Sequence, residues 1–239
     1  QFHFSRWATQ GMPKMSPLWL LKYLPNMPAS HIAIYNDLRG PNNSLTLREA
    51  SANLALGHAR HTILQGRADI MLVGATGTRL NPMKVVHAVQ QEEVATGKAH
   101  PGEVSRPFDL HRSGMVLGEG AGMVVIEELS GARRRGARIY AEIIGYGSGS
   151  SAHHLYQPCP SGSGVRIALK KSLVDAGIAP TDIDYISADG IGTVASDRAE
   201  SLALTAAFGP HAGKLPISAT KSMTGHLGTG AGAAELIIS

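Results

Sequence analysis

IDYISADGIGTVASDRAESLALTAAFGPHAGKLPISA (183–219) reads as strand, helix and strand in succession. Ile183 to Ala188 and Leu215 to Ala219 have strand length, and Ser196 to Phe208 between them has helical composition. Strands alternating with helices are the signature of a layered α/β fold. The order is echoed earlier in the chain. Asn43 to Leu47 runs, near Arg48, into a helical stretch closed by Gly66. ADIMLVGA (68–75) then follows as an apolar strand of the kind buried on both faces. Two such units imply a duplicated architecture.

Working outward, the stretch up to Leu38 is punctuated by Pro13, Pro17, Pro25 and Pro28 into a loop and a short helix. Between Gly77 and Phe108 the chain is polar and poorly periodic, with one short helix around Met83 to Gln91. Glycines 114, 118, 120 and 122 lead into a core strand, Met123 to Leu129. Gly118 to Gly122 precedes that strand and lacks the lysine of a phosphate loop, so a close-packed turn is expected. After a basic turn, Ala132 to Arg138, the pattern predicts a long strand, Ile139 to Tyr146, and a helix, Gly162 to Ala176. A final helix is expected from about His226.

Composition sets limits. With 239 residues, 43% hydrophobic and 17% charged, the chain is long enough for one large core or two joined smaller ones. Its 28 glycines exceed the usual share of roughly 7%, which suits tight turns and close backbone approaches. The formal charge is +4, with basic residues scattered except at Arg133-Arg134-Arg135, so no nucleic-acid partner is expected. A single cysteine, Cys159, excludes an internal disulfide framework and a Cys-based zinc site, and fits a reducing cytoplasm. The longest apolar runs fall well short of the roughly 20 residues a membrane helix needs. Gln1 is followed by no signal pattern and the chain stops within an apolar helical run, so an internal fragment is expected.

Four stretches carry a resemblance: GPNNSLTLREASANLALGHA (40–59), RPFDLHRSGMVLGEGAGMVVIEEL (106–129), ADGIGTVASDRAE (188–200) and TKSMTGHLGTGAGAAE (220–235). Together they resemble the β-ketoacyl-[acyl-carrier-protein] synthase family. The resemblance implies a thiolase fold, with αβαβα layers built from two similar halves and paired as a dimer. Residues 1–137 would be the later part of the N-terminal half and 138–239 the first part of the C-terminal half.

In that family a cysteine nucleophile sits at a strand-to-helix elbow, where the helix N-terminus lowers its pKa. The matching position is Glu49. A carboxylate is stabilised there by about 0.3–1 kcal/mol, but its acyl product would be a hydrolysable mixed anhydride. The family's two histidines donate hydrogen bonds to the thioester oxygen and the enolate. His226 matches the second, whereas Asp189 replaces the first, and its negative charge would repel a developing enolate. Of two pantetheine-contacting threonines, one is Ile191 here and the other is retained as Thr193. Lys221 matches the active-site lysine, and Asp197 with Glu200 match a supporting acidic pair.

These positions leave alternatives open. Glu49 is either a functional substitution or the residue left after loss of catalysis, with the helix dipole and Lys221 compensating its charge. The balance favours loss. The resemblance then implies a chain-length-factor-like homologue: a pocket-shaping subunit of fatty-acid or polyketide biosynthesis, unable to condense. The alternative is an active acyltransferase, malonyl decarboxylase or thioester hydrolase. If Glu49, Asp189, His226 and Lys221 converge in one buried pocket, an ion pair among them is favoured over a metal site, and no cofactor is expected. The implied partners are an acyl carrier protein, which the basic turn would dock, and either a second copy or an active ketosynthase. His58 with His61, His153-His154 and Cys159 read as surface or loop residues.

Overall fold

The computed structural model describes residues 4–96, 100–154 and 157–239. Two compact units are distinguished, one ending at Thr46 and the other running from Leu47 to Ser239. The first consists of short turns and one helix, α1 (Met27–Tyr35), with Pro28 in its first turn. Pro suits a first helical turn because the missing N–H has no intrahelical partner there. No residue of α1 is buried. Asn42 and Ser44 donate side-chain hydrogen bonds to the carbonyls of Ala29 and Pro25, folding the tail of this unit back on itself.

The second unit begins at a 3-10 turn, Arg48–Ala50, which enters α2 (Ser51–Leu64). β1 (Ile70–Thr78) follows, then α3 (Pro82–Gln91), capped by the Asn81 side chain. β2 (Glu119–Glu127) pairs antiparallel with β1, from Ile70 opposite Glu127 to Thr78 opposite Glu119. Next come α4 (Leu129–Arg134), α5 (Ser163–Ala176), β3 (Ile186–Ser187), α6 (Val194–Phe208) and β4 (Ile217–Ser218). The chain closes through α7 (Lys221–Thr224), a 3-10 turn at Gly228–Gly230 and α8 (Ala231–Ile238). The parallel pair β3 and β4, joined by α6, realises the strand–helix–strand reading of 183–219. Leu204, Phe208 and Leu215 form its buried core, packed by Leu169 and Leu173 of α5 and by Ile183 and Ile186.

Several expectations are corrected. β1 is not buried on both faces: Val73 is buried, while Ile70 and Leu72 are exposed, as are Val125 opposite Leu72 and Met123 opposite Gly74 on β2. Among the described residues β1 pairs only with β2, and α2 and α8 pack on this pair. Such a sheet commonly keeps one face open. The glycine run before Met123 is strand rather than turn. It is close-packed: a Cβ on Gly120 would lie 2.9 Å from Leu227 Cδ1, and one on Gly122 2.9 Å from the Ala233 backbone.

Ile139–Tyr146 forms no strand. Three of its backbone groups bond side chains. Arg60 donates to the carbonyls of Ile143 and Ile144, and Tyr146 N–H donates to Asp175. Asn43–Leu47 likewise forms no strand, and two of its backbone N–H groups bond side chains in place of a ladder, Ser44 N–H to Asn43 and Leu47 N–H to Ser51. β3 and β4 are shorter than read because Pro216, beside β4, has no N–H to extend the ladder. The final helix starts at Ala231 rather than near His226.

Phe208 is 6% exposed at the centre of the α5–α6 core. Phe208→Ala should destabilise the protein by about 3 kcal/mol, as a cavity in a packed core does. Chemical denaturation reads this directly; a change below about 1 kcal/mol would mean that this core does not carry the fold.

Candidate active site

Glu49 stands on the 3-10 turn that enters α2. Arg48 before it has φ +54, a left-handed conformation that costs a non-glycine residue about 1–2 kcal/mol. Ser51 holds the bend: its hydroxyl donates to Arg48 O at 2.7 Å and accepts from Leu47 N–H at 2.9 Å. The elbow therefore carries Glu49 outward at a fixed angle.

The Glu49 carboxylate meets a guanidinium. Arg79 Nη2 donates to Glu49 Oε1 at 2.8 Å, while its Nη1 donates to Glu92 Oε2 at 2.6 Å. Arg48 bonds the other oxygen of Glu92 at 2.8 Å. Burial lifts the Glu92 carboxyl, but Arg79 and Arg48 outweigh it and hold the pKa below the usual value. Sequence reasoning missed this chain of alternating charge, Glu49–Arg79–Glu92–Arg48. Its members are far apart in sequence, and the polar stretch after Gly77 gave no periodic signal. Lys221, expected to compensate Glu49, does not; Arg79 does.

His226 lies opposite, 2% exposed. Gly225 at φ +69 and Gly228 at φ +62 bracket it and keep it out of the helices on either side. Its N–H donates to Val116 O at 2.7 Å, anchoring it beside Leu117. Nδ1 accepts the Gly228 N–H at 3.0 Å, which assigns the proton of the neutral ring to Nε2. Nε2 lies 3.7 Å from Glu49 Oε1, in contact but beyond hydrogen-bond length. Burial and the charge of Arg79 push the His226 pKa down, so the ring is held neutral with an N–H aimed at the elbow.

A second charge cluster adjoins. Lys221, 2% exposed, donates to the carbonyl and the Oδ1 of Asp189 at 2.7 Å each, and to Glu235. Burial opposes the ammonium charge, but Asp189 and Glu235 hold its pKa above the usual value. Glu235 is a further residue the sequence reading did not single out. The loop bearing Asp189 is pinned from below, because Asp189 N–H and Gly190 N–H both donate to Glu200, at 2.8 and 2.9 Å. Gly190 has φ +44, and a Cβ there would lie 2.4 Å from that of Ala219.

Asp197, 1% exposed, accepts from Gly192 N–H at 3.1 Å and from Phe108 N–H at 2.8 Å. Thr193 caps α6, its hydroxyl accepting from Ser196 N–H. Ile191 is half-buried in the same loop. Lys221 and His226 are thus deep, but the Glu49 and Asp189 side chains are 31% and 56% exposed. The four do not share one buried pocket: two side chains are deep and two reach the surface.

The other candidates lie elsewhere. His58 and His61 are exposed on α2, and His153 and His154 are exposed in a loop. The Cys159 thiol shares a hydrogen bond with Ser161 and accepts one from Ser163, which pull its pKa down to about 6. In the basic turn Arg135 pairs with Glu127 at 2.6 Å and Arg134 bonds Ser130.

Solved structures with this architecture define the class as the thiolase-like ketosynthase fold. A type II PKS acyl-carrier protein in complex with its ketosynthase bound to the hexaketide matches with TM-score 0.92 and 31% identity, covering 95% of this chain and 56% of that one. The ishigamide ketosynthase/chain length factor matches with TM-score 0.82 and 32% identity, over 97% and 55%. Residues 4–132 match the family "Beta-ketoacyl synthase, N-terminal domain" and residues 140–239 match "Beta-ketoacyl synthase, C-terminal domain". The chain belongs to the β-ketoacyl synthase family. It is 42% identical to the 3-oxoacyl-[acyl-carrier-protein] synthase 2 of Coxiella burnetii, over 97% of this chain and 56% of that protein. It is 38% identical to the mitochondrial 3-oxoacyl-[acyl-carrier-protein] synthase of Arabidopsis thaliana, over 95% and 50%. The chain spans about half the length of the curated relatives it matches.

Burial, foremost, lifts the Glu200 pKa from 4.5 to about 7. A carboxyl that holds its proton more tightly when folded stabilises the fold fully below its unfolded pKa and loses that contribution as pH rises towards 7. Wild type should therefore lose on the order of 2 kcal/mol between pH 4.5 and 7 that Glu200→Gln does not lose. Denaturant titrations of both across that range test this, and parallel curves would refute it.

Proposed function

We propose that this protein is a β-ketoacyl synthase homologue of fatty-acid or polyketide biosynthesis that does not condense, and that it acts as a partner or chain-length-shaping subunit. One observation carries the reading: both substituted positions are tied into ion pairs, Glu49 to Arg79 and Asp189 to Lys221. A carboxylate neutralised by a guanidinium is a poor nucleophile, and any acyl product would be an anhydride exposed to water. Asp189 places negative charge where an enolate would need a hydrogen-bond donor. The Thr193 hydroxyl is engaged as a helix cap, and Ile191 offers no hydrogen bond to a carrier arm.

The likeness to a ketosynthase/chain length factor structure supports a paired role, with an active ketosynthase or a second copy as partner. An acyl carrier protein is the proposed substrate carrier, with the basic turn as its docking surface and the cytoplasm as its location. Arg134→Glu with Arg135→Glu should weaken carrier binding in a titration, and unchanged affinity would remove that surface. We divide the chain functionally near residue 138, with Glu49 in the first half and Asp189, Lys221 and His226 in the second.

The neutral Nε2–H of His226 favours one competing reading, a decarboxylase or hydrolase that keeps a single oxyanion donor. Restoring the missing groups separates the two. The double variant Glu49→Cys with Asp189→His should accept an acyl label from an acyl-carrier thioester, while either single change should gain little, because nucleophile and donors act as a unit. Full labelling of Glu49→Cys alone would show that Asp189 is not disabling.

A further inference from the structure

Arg79 is a half-buried cation with one end of its guanidinium turned to the elbow. Its side chain is 12% exposed, and one end of the fork is fixed by Glu92. The other end, Nη2, reaches only 3.4 Å to Glu92 Oε1 but 2.8 Å to Glu49 Oε1. Across from it stands the Nε2 of His226, which carries the ring proton and lies 3.7 Å from that same oxygen. A guanidinium N–H and an imidazole N–H thus converge on one carboxylate oxygen. The local charges balance, with Arg48 and Arg79 against Glu49 and Glu92. Removing the Glu49 carboxylate leaves one uncompensated positive charge beside a neutral hydrogen-bond donor, which is the chemistry of an anion site.

We propose that Arg79 and His226 form a binding site for a small carboxylate, which Glu49 occupies from within the chain. Glu49 is a tethered ligand at this site, its Oε1 lying 2.8 Å from Arg79 Nη2 and 3.7 Å from His226 Nε2. A free monocarboxylate such as acetate reproduces the carboxylate without the tether. Such a site exists whether or not the protein condenses, so its test is a binding measurement rather than a turnover assay.

The full protein and its Glu49→Ala variant are titrated with sodium acetate against sodium chloride at equal ionic strength, followed by calorimetry and thermal unfolding. Glu49→Ser opens the same space and serves if the alanine variant folds poorly. The opened variants should bind acetate at least about tenfold more tightly than wild type, the effect of one charge-assisted hydrogen bond, and acetate should raise their Tm. Adding Arg79→Met to either should abolish both responses. Equal acetate binding by wild type, survival of binding without Arg79, or no binding by the opened variants would each overturn the assignment. In the last case Arg79 has closed onto Glu92, for which its 3.4 Å second contact already provides a path.

Discussion

Arg79 stands between two carboxylates, and the arrangement around the elbow depends on it. A guanidinium that bridges Glu49 at 2.8 Å and Glu92 at 2.6 Å fixes both at once, and the three charges stabilise one another only as a set. Truncating a partner of such a partly buried pair typically costs a few kcal/mol, because the remaining charge is left desolvated. That constraint explains why a carboxylate persists at a strained bend. Arg48 is held at a positive φ by Ser51, and its own side chain joins the network through Glu92. Backbone strain and electrostatics therefore serve the same geometry.

The Lys221 cluster follows the same logic at greater depth. An ammonium 2% exposed needs acceptors on every side, and Asp189 supplies two of them, from its carbonyl and its carboxylate. The side chain at 189 is thereby committed to structure. Glu200 beneath the loop and Asp197 beside it gather four backbone N–H groups between them, from Asp189, Gly190, Gly192 and Phe108. The loop is held rigid from the protein side while its outer surface stays open. The Nε2 of His226 faces the elbow, 3.7 Å from Glu49 Oε1 and beyond hydrogen-bond length.

Much of this was legible in the sequence. Apolar runs of strand length around a helical stretch gave the β3–α6–β4 unit, and TKSMTGH drew attention to Lys221 and His226, which the structure sets against Asp189 and Glu49. Local patterns could not show which charges would meet. Glu49 and Arg79 are 30 residues apart and pair because β1 ends beside the elbow. The open face of β1 was misread for a related reason: an apolar run records what a strand can bury, and the covering elements decide what it does bury. Ile139–Tyr146 has strand composition, yet Arg60 and Asp175 take its backbone groups. The bend at His226 had a readable signal in Gly225 and Gly228, and the apolar run beyond them masked it.

The central claim is that the carboxylate at the elbow is a fixed ion-pair partner and not a nucleophile. Its most direct test is intact-protein mass spectrometry of the full protein after incubation with malonyl- and acyl-carrier thioesters. The account predicts no covalent acyl adduct and no release of CO2 or free acid above the no-protein control. An acyl adduct mapped to Glu49, or turnover lost in Glu49→Gln, would contradict it.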